Sequence, residues 1–270
     1  MRDQLGVACR INGERLAVLG WSRAILLQMA HPLIAAGVYD HSGFRASPLA
    51  AMQRLRHTTQ AMLAITFGDQ SRRAAAIAGI RKIHTRVNGS LRETVGPFPA
   101  GTPYSAEDPA LLLWVHATLI ESILVTYEHV VGPLCRQDLD DYCAVSAPSS
   151  VELGMREEEA PLSWASLQDC LGRIYQSGVI TVGPQASEIA DALLRTSIPG
   201  PLAPARWVTG TLTTGLLPSR VRDEYGLRWD ASRQRRFEQL TAAIRTFRKI
   251  APTLVTVWPD ARHQAAGSRP

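Results

Sequence analysis

The sequence predicts an all-α chain packed as one domain, either a bundle or a globin-like arrangement of helices. Three observations carry this. No segment alternates apolar and polar residues with the strand period. Helix-start and helix-stop signals recur along the chain. The longest apolar run, LLLWVHATLIESILV at 111–125, contains His116 and Glu121 and is short for a membrane span. It reads as a buried core helix.

The elements follow in order. Arg15 to Met29 reads as an apolar helix, and Pro32 restricts His31 and marks a break. Ser47-Pro48 pairs a cap with an N1 proline, and Gly68 stops that helix. Asp69 caps the next helix, which is expected to run to a C-cap at Asn88-Gly89. Ser105 and Asp108 resemble a capping box that opens the longest helix, ended by Gly132. Shorter amphipathic helices are expected over 136–147, 163–176, 187–197 and 204–217. An arginine-rich outer helix over 230–251 carries a Leu240/Ile244/Phe247 stripe. Loops are expected at 92–104 and 146–162. The reading is one domain over 1–262 with a disordered tail over 263–270.

Composition narrows the function classes. The net charge is +5, and the arginines are scattered, so nucleic acid is not an expected partner. Four cysteines (Cys9, Cys135, Cys143, Cys170) form no CxxC pair, which argues against a zinc ribbon or a thioredoxin-like motif. Free thiols in a reducing cytoplasm are the expectation. The first twenty residues carry Asp3, Arg10, Glu14 and Arg15 with no uninterrupted apolar stretch, so neither a signal peptide nor stable membrane insertion is expected. A cytoplasmic location follows as an expectation. HExxH, GxGxxG, the Walker A pattern and GxSxG are absent, as are the Glu-x-x-His pairs of a di-iron bundle.

Two places remain where chemistry could sit. Arg54, His57 and Thr58 are spaced i, i+3, i+4 and so share one helix face. That face continues through Ala50, Ala61 and Ile65. A polar triplet on an apolar face is costly to bury without partners. Arg54 is therefore either paired with a surface carboxylate or part of a polar pocket floor. In the next helix Ile77, Ile80, His84 and Val87 lie at helical spacing, with Arg81 and Asn88 beside the histidine. His84 is either a structural core imidazole or a metal ligand, since neutral imidazole is the commonest protein metal ligand. His31 and His116 also stand in apolar surroundings.

The stretches LLQMAHPLIAAGVYDHS, RLRHTTQAMLAITFGD, IRKIHTRVNG, YSAEDPALLLWVHATLIESIL and LPSRVRDEYGLRW occur in an order that resembles the DUF2236 family. This is the family of latex-clearing rubber oxygenases and mpaB-type oxygenases. The likeness runs from about Gly20 to Pro259. It implies a globin-like core around one b-type haem, with His84 as axial iron ligand and Arg54 and Thr58 on the distal side. His57 stands where a distal lysine ligand is found in rubber oxygenases, so a second iron ligand from His57 is implied as an option. Arg81 and Arg86 become candidates for the haem propionates, and His31 and His116 for the pocket wall. The upstream glutamate of rubber oxygenases has no clean counterpart; Asp40 and His41 are merely near. The expected function is a haem-dependent oxygenase or oxidase using O2 or peroxide on a small, hydrophobic organic substrate, with an electron donor as further partner. Two alternatives are a haem-binding sensor or carrier without turnover, and a cofactor-free helical binding protein.

Overall fold

The computed structural model describes residues 2–42, 48–194 and 203–267. Among these, α-helices account for nearly all regular structure, and one two-stranded ribbon completes it. The all-α expectation holds.

Helix α6 (Pro109–Val130) is the axis of the core. It is apolar nearly all round, which suits a helix surrounded by others. It is long and apolar enough to cross a membrane, yet most of that stretch is buried by the protein's own helices. Around it pack α2 (Trp21–Met29), α7 (Arg136–Glu152), α8 (Trp164–Gln176) and α12 (Ala231–Ile250). Asp108 is the N-cap of α6 and accepts from the Ala110 amide at 2.8 Å. Ser105 is not part of this cap; it ends a strand and binds the Glu107 amide instead.

The helix expected over Arg15–Met29 is two elements, a 3-10 turn over Arg15–Gly20 and then α2. Gly20 explains the break. A Cβ there would meet the Thr126 hydroxyl and lie 2.8 Å from the Ser122 carbonyl oxygen of α6. Only glycine lets the two backbones approach so closely. Beside it Arg23, 2% exposed, donates to the Leu216 carbonyl at 2.7 Å, the Ser122 hydroxyl at 2.7 Å and Glu121 at 3.0 Å. One guanidinium thereby ties α2 to α6 and to the end of α10 (Ala203–Leu216).

The end of α2 is tied to the rest of the fold through its carbonyls, of which Leu26 also accepts from the Ala30 amide at 3.1 Å. Tyr225 donates to Leu26 at 2.8 Å, Trp114 to Leu27 at 3.1 Å and the Thr181 amide to Ala30 at 2.8 Å. This termination sets His31 as the N-cap residue of α3 (Pro32–His41), with the expected proline in its first turn.

Helix α1 (Arg2–Gly13), not anticipated from sequence, packs on α7 and contributes Val7, Ala8 and Ile11 to the main core. Helix α4 (Pro48–Phe67) ends before Gly68 as expected; Ser47 lies outside the described residues. Asp69 caps α5 (Gln70–His84) by accepting from the Arg72 amide. The helix stops at His84 and not at Asn88-Gly89, because Asn88–Ser90 forms β1, paired antiparallel with β2 (Pro103–Ser105). Gly89 is required there because any Cβ would strike the ring and hydroxyl of Tyr104 across the pair.

Helix α7 runs five residues beyond the expected Ala147 and contains Pro148. The turn that Pro148 weakens is held from outside by Ser150 on His116 and Arg73 on Glu152. The remaining helices are α9 (Pro184–Leu194), α11 (Ser219–Glu224), α13 (Thr253–Thr256) and α14 (Pro259–Gly267). Helical order thus reaches residue 267 of the expected disordered tail, and 268–270 lie outside the described residues. In α12 the buried residues are Phe237, Leu240 and Thr241, while Phe247 of the expected stripe is 49% exposed.

Candidate functional site

Helices α4 and α5 form a hairpin whose turn is Gly68–Asp69. Helix α4 packs on α1 and α14, with Thr66 near the turn accepting from Asn12 at 3.1 Å, and α5 packs chiefly on α4. Both helices rise about 1.5 Å per residue, so Arg54 and His84 each lie about 20 Å from the turn. His57 and Thr58 sit roughly one turn nearer to it. The hairpin therefore brings the two candidate groups, far apart in sequence, to the same height on neighbouring helices.

His84 is half-buried at the last residue of α5. Its stripe runs Arg73, Ile77, Ile80, His84, and Ile77 is buried. Arg73 reaches Glu152 and Ser149 on α7, which fixes the stripe toward the body of the fold. The Nδ1 atom of His84 is buried with no hydrogen-bond partner among the described residues. Burial lowers the His84 pKa, and the charge of Glu107 works in the opposite direction. The ring therefore favours the neutral form, the form with a lone pair to give.

His31 is 6% exposed, and its Nδ1 is likewise buried without a partner. Burial pushes its pKa down to about 4, against the nearby charge of Asp108. Its ring lies 5.3 Å from that of Phe98. Glu107, whose charge acts on His84, and Asp108, whose charge acts on His31, are consecutive residues at the corner where β2 leads into α6. The ribbon makes this corner: the Ala106 amide bonds the Val87 carbonyl at 2.9 Å, three residues past His84.

His116 is placed differently. It lies about two turns into α6, 4% exposed, and faces α7, where Nδ1 meets the Ser150 hydroxyl at 2.7 Å. Its Nε2 is buried without a partner, and burial alone lowers its pKa to about 4. Arg81 and Arg86 are exposed around the end of α5, as are His57 and Thr58 on α4. Arg54 belongs to α4 by its backbone, while its side chain lies outside the described ones. Ile83 next to His84 is 62% exposed, an apolar surface at the mouth of the hairpin.

Asp40 and His41, near the position of the rubber oxygenase glutamate, already have partners. Asp40 accepts from Tyr104 at 2.8 Å and from Arg92 at 2.6 Å. Burial and the bond to Asp40 push the Tyr104 pKa up to about 12. His41 binds the Asn88 carbonyl at 3.0 Å. These contacts knit α3 to the ribbon. The Ser150 partner of His116 and the acidic pair Glu107–Asp108 were not readable as neighbours of the histidines, since nothing local in the sequence links them. None of the four cysteines forms a disulfide among the described residues, and Cys135 serves as N-cap of α7. Among the described residues no cluster of three or more His, Cys, Asp or Glu is placed to hold a metal ion by side chains alone. The site offers single imidazoles.

The described residues thus form an all-α body whose α4–α5 hairpin ends on a half-buried imidazole with a buried, unpartnered nitrogen. The comparison with known families makes the assignment narrower. Residues 10–246 match the family described as ER-bound oxygenase mpaB/B'/Rubber oxygenase, catalytic domain. The chain belongs to this family. It is also similar to an uncharacterized protein of Mycobacterium tuberculosis and to one of Mycobacterium bovis, each 26% identical over 239 residues, spanning 84% of this chain and 87% of the relative. No solved structure matches it.

Proposed function

We propose that this protein is a haem-dependent oxidoreductase of the oxygenase type, acting with O2 on a small, hydrophobic organic substrate. The observation that supports it most is His84: a neutral imidazole with a buried, unpartnered nitrogen, in a family of oxygenase catalytic domains. These residues fit a haem, which needs one such nitrogen in a largely apolar wall. Haem, when bound, supplies the redox chemistry that activates dioxygen.

The chain's own residues do the rest. His84 would give its lone pair, and Glu107 is a carboxylate whose charge acts on the ring. Arg81 and Arg86, on the exposed end of α5, match propionate carboxylates because guanidinium binds them bidentately. On the neighbouring helix α4, Arg54 and Thr58 would be the hydrogen-bond donors to dioxygen where charge develops. His57 would be a second residue able to hold the group, or would hold a proton beside it. His31 would wall the pocket, and Ile83 extends the apolar rim for a hydrophobic substrate. His116 lies apart from this wall, facing α7 with Ser150 as its partner.

Optical spectra of the purified protein test the proposal. A Soret band is expected in the parent, and His84→Ala loses most of it. Normal haem content in His84→Ala rejects the axial assignment. A colourless parent after expression with ample iron and haem precursor points to a cofactor-free binding protein. Ligand-shifted spectra without any product under O2 and a reductant point to a sensor or carrier.

A further inference from the structure

A cavity of about 340 Å³ is lined by α10, α12, the end of α9 and the segment between α11 and α12. No residue of α3 to α6 lines it. Three guanidiniums (Arg206, Arg233, Arg236) and two indoles (Trp207, Trp229) form its walls, with the Thr211 hydroxyl among them. That volume falls in the range of small-molecule sites.

The charges facing it are unbalanced. Arg233 lies 3.6 Å from Asp230 and donates to the Arg228 carbonyl at 2.9 Å. Arg206 donates to the Leu194 carbonyl at 3.4 Å. Arg236 has no hydrogen bond or ion pair among the described residues. Asp230 thus stands against two of the lining cations, Arg233 and Arg236, whose charges both act on it. The aromatic wall is held in place. Arg222 lies over the Trp229 ring, 4.7 Å from its centroid, and also donates to the Thr214 carbonyl at 3.3 Å. Trp229 donates to Gln234 at 3.0 Å and packs edge-on against Phe237. Trp207 is 52% exposed, a large apolar ring offered to solvent at the cavity wall.

We infer that this cavity binds an amphipathic organic anion, a flat apolar body that lies against Trp207 and Trp229 and a carboxylate that meets Arg236 and Arg233. Indole faces recognise the body, and guanidinium forks recognise the carboxylate. Inorganic phosphate would use the arginines and leave both indoles unused, which is why the organic anion is favoured.

Calorimetric titration with 2-naphthoate, 2-naphthylmethanol and inorganic phosphate tests this. Naphthoate is expected to bind at one site, and the neutral alcohol about tenfold more weakly, as loss of a charge-assisted hydrogen bond requires. Arg236→Gln and Trp207→Ala are each expected to weaken naphthoate about tenfold. Both side chains are exposed, so folding should persist, and circular dichroism checks it. The haem content of Arg236→Gln should equal that of the parent, which separates this site from the one at His84. No naphthoate binding, binding unchanged in both variants, or equal affinity for phosphate would each overturn the inference.

Discussion

Lowering the pH should destabilise this protein through His116, and the size of the effect follows from its surroundings. The ring is 4% exposed, burial alone lowers its pKa to about 4, and no opposing charge contributes. In the unfolded chain a histidine titrates near 6.5. The native state therefore takes up its proton later than the unfolded state as the pH falls. Above about pH 6.5 both forms are neutral and the full stability is present. Between about 6.5 and 4 the unfolded chain is charged first, and stability is lost progressively. Linkage gives a loss of about 2 kcal/mol at pH 5 for this one group. Urea unfolding at about pH 7.5 and pH 5 reads it, with His116→Leu as comparison. The variant loses the bond to Ser150 at every pH, a cost that cancels when the two pH values are subtracted. The parent should lose about 2 kcal/mol more than His116→Leu over that interval. An identical loss in both would show that His116 is not the neutral buried group its surroundings imply, and the reasoning would fail.

Two further outcomes concern the core. Gly20→Ala should cost about 1–3 kcal/mol, since the new methyl forces the 3-10 turn away from the Thr126 hydroxyl and the Ser122 carbonyl; thermal unfolding would register it, and an unchanged melting temperature would contradict the close approach. Arg23→Ala should cost about 3–5 kcal/mol by stranding Glu121 in a nearly dry interior, whereas pairing Arg23→Met with Glu121→Leu should recover much of this in denaturant unfolding.

Local chemistry made part of the fold readable in advance. Asp69 and Pro32 act on the few residues beside them, so the helix starts they predict are found where expected. Asp108 does cap α6, but its supposed partner Ser105 is drawn into a strand by pairing with Asn88. The break at Gly20 could not be read, because its cause is α6, a hundred residues away. Asn88-Gly89 looks like a helix end because both residues suit that role; the glycine is there to admit the Tyr104 ring. In the LPSRVRDEYGLRW stretch, the polar residues turn out to tie the fold together. Tyr225 closes the end of α2, Arg220 meets Glu224, and Glu224 accepts from the Val182 amide at 3.0 Å. At the candidate site the helical spacing placed His84 on one stripe with Ile77 and Ile80, while the three-residue ribbon beside it is too short to carry a pattern.

None of the three hydrophobic clusters at the heart of the molecule contains a residue of α4 or α5 among the described residues. The body can therefore be complete while the hairpin is still open. Opening the hairpin exposes little of the core, so it should need less free energy than global unfolding, and its amides should exchange with solvent well before those of α6. Whatever enters between hairpin and body would draw its binding energy partly from closing that joint. Anything bound there would also brace α5 far more than it braces the rest of the chain.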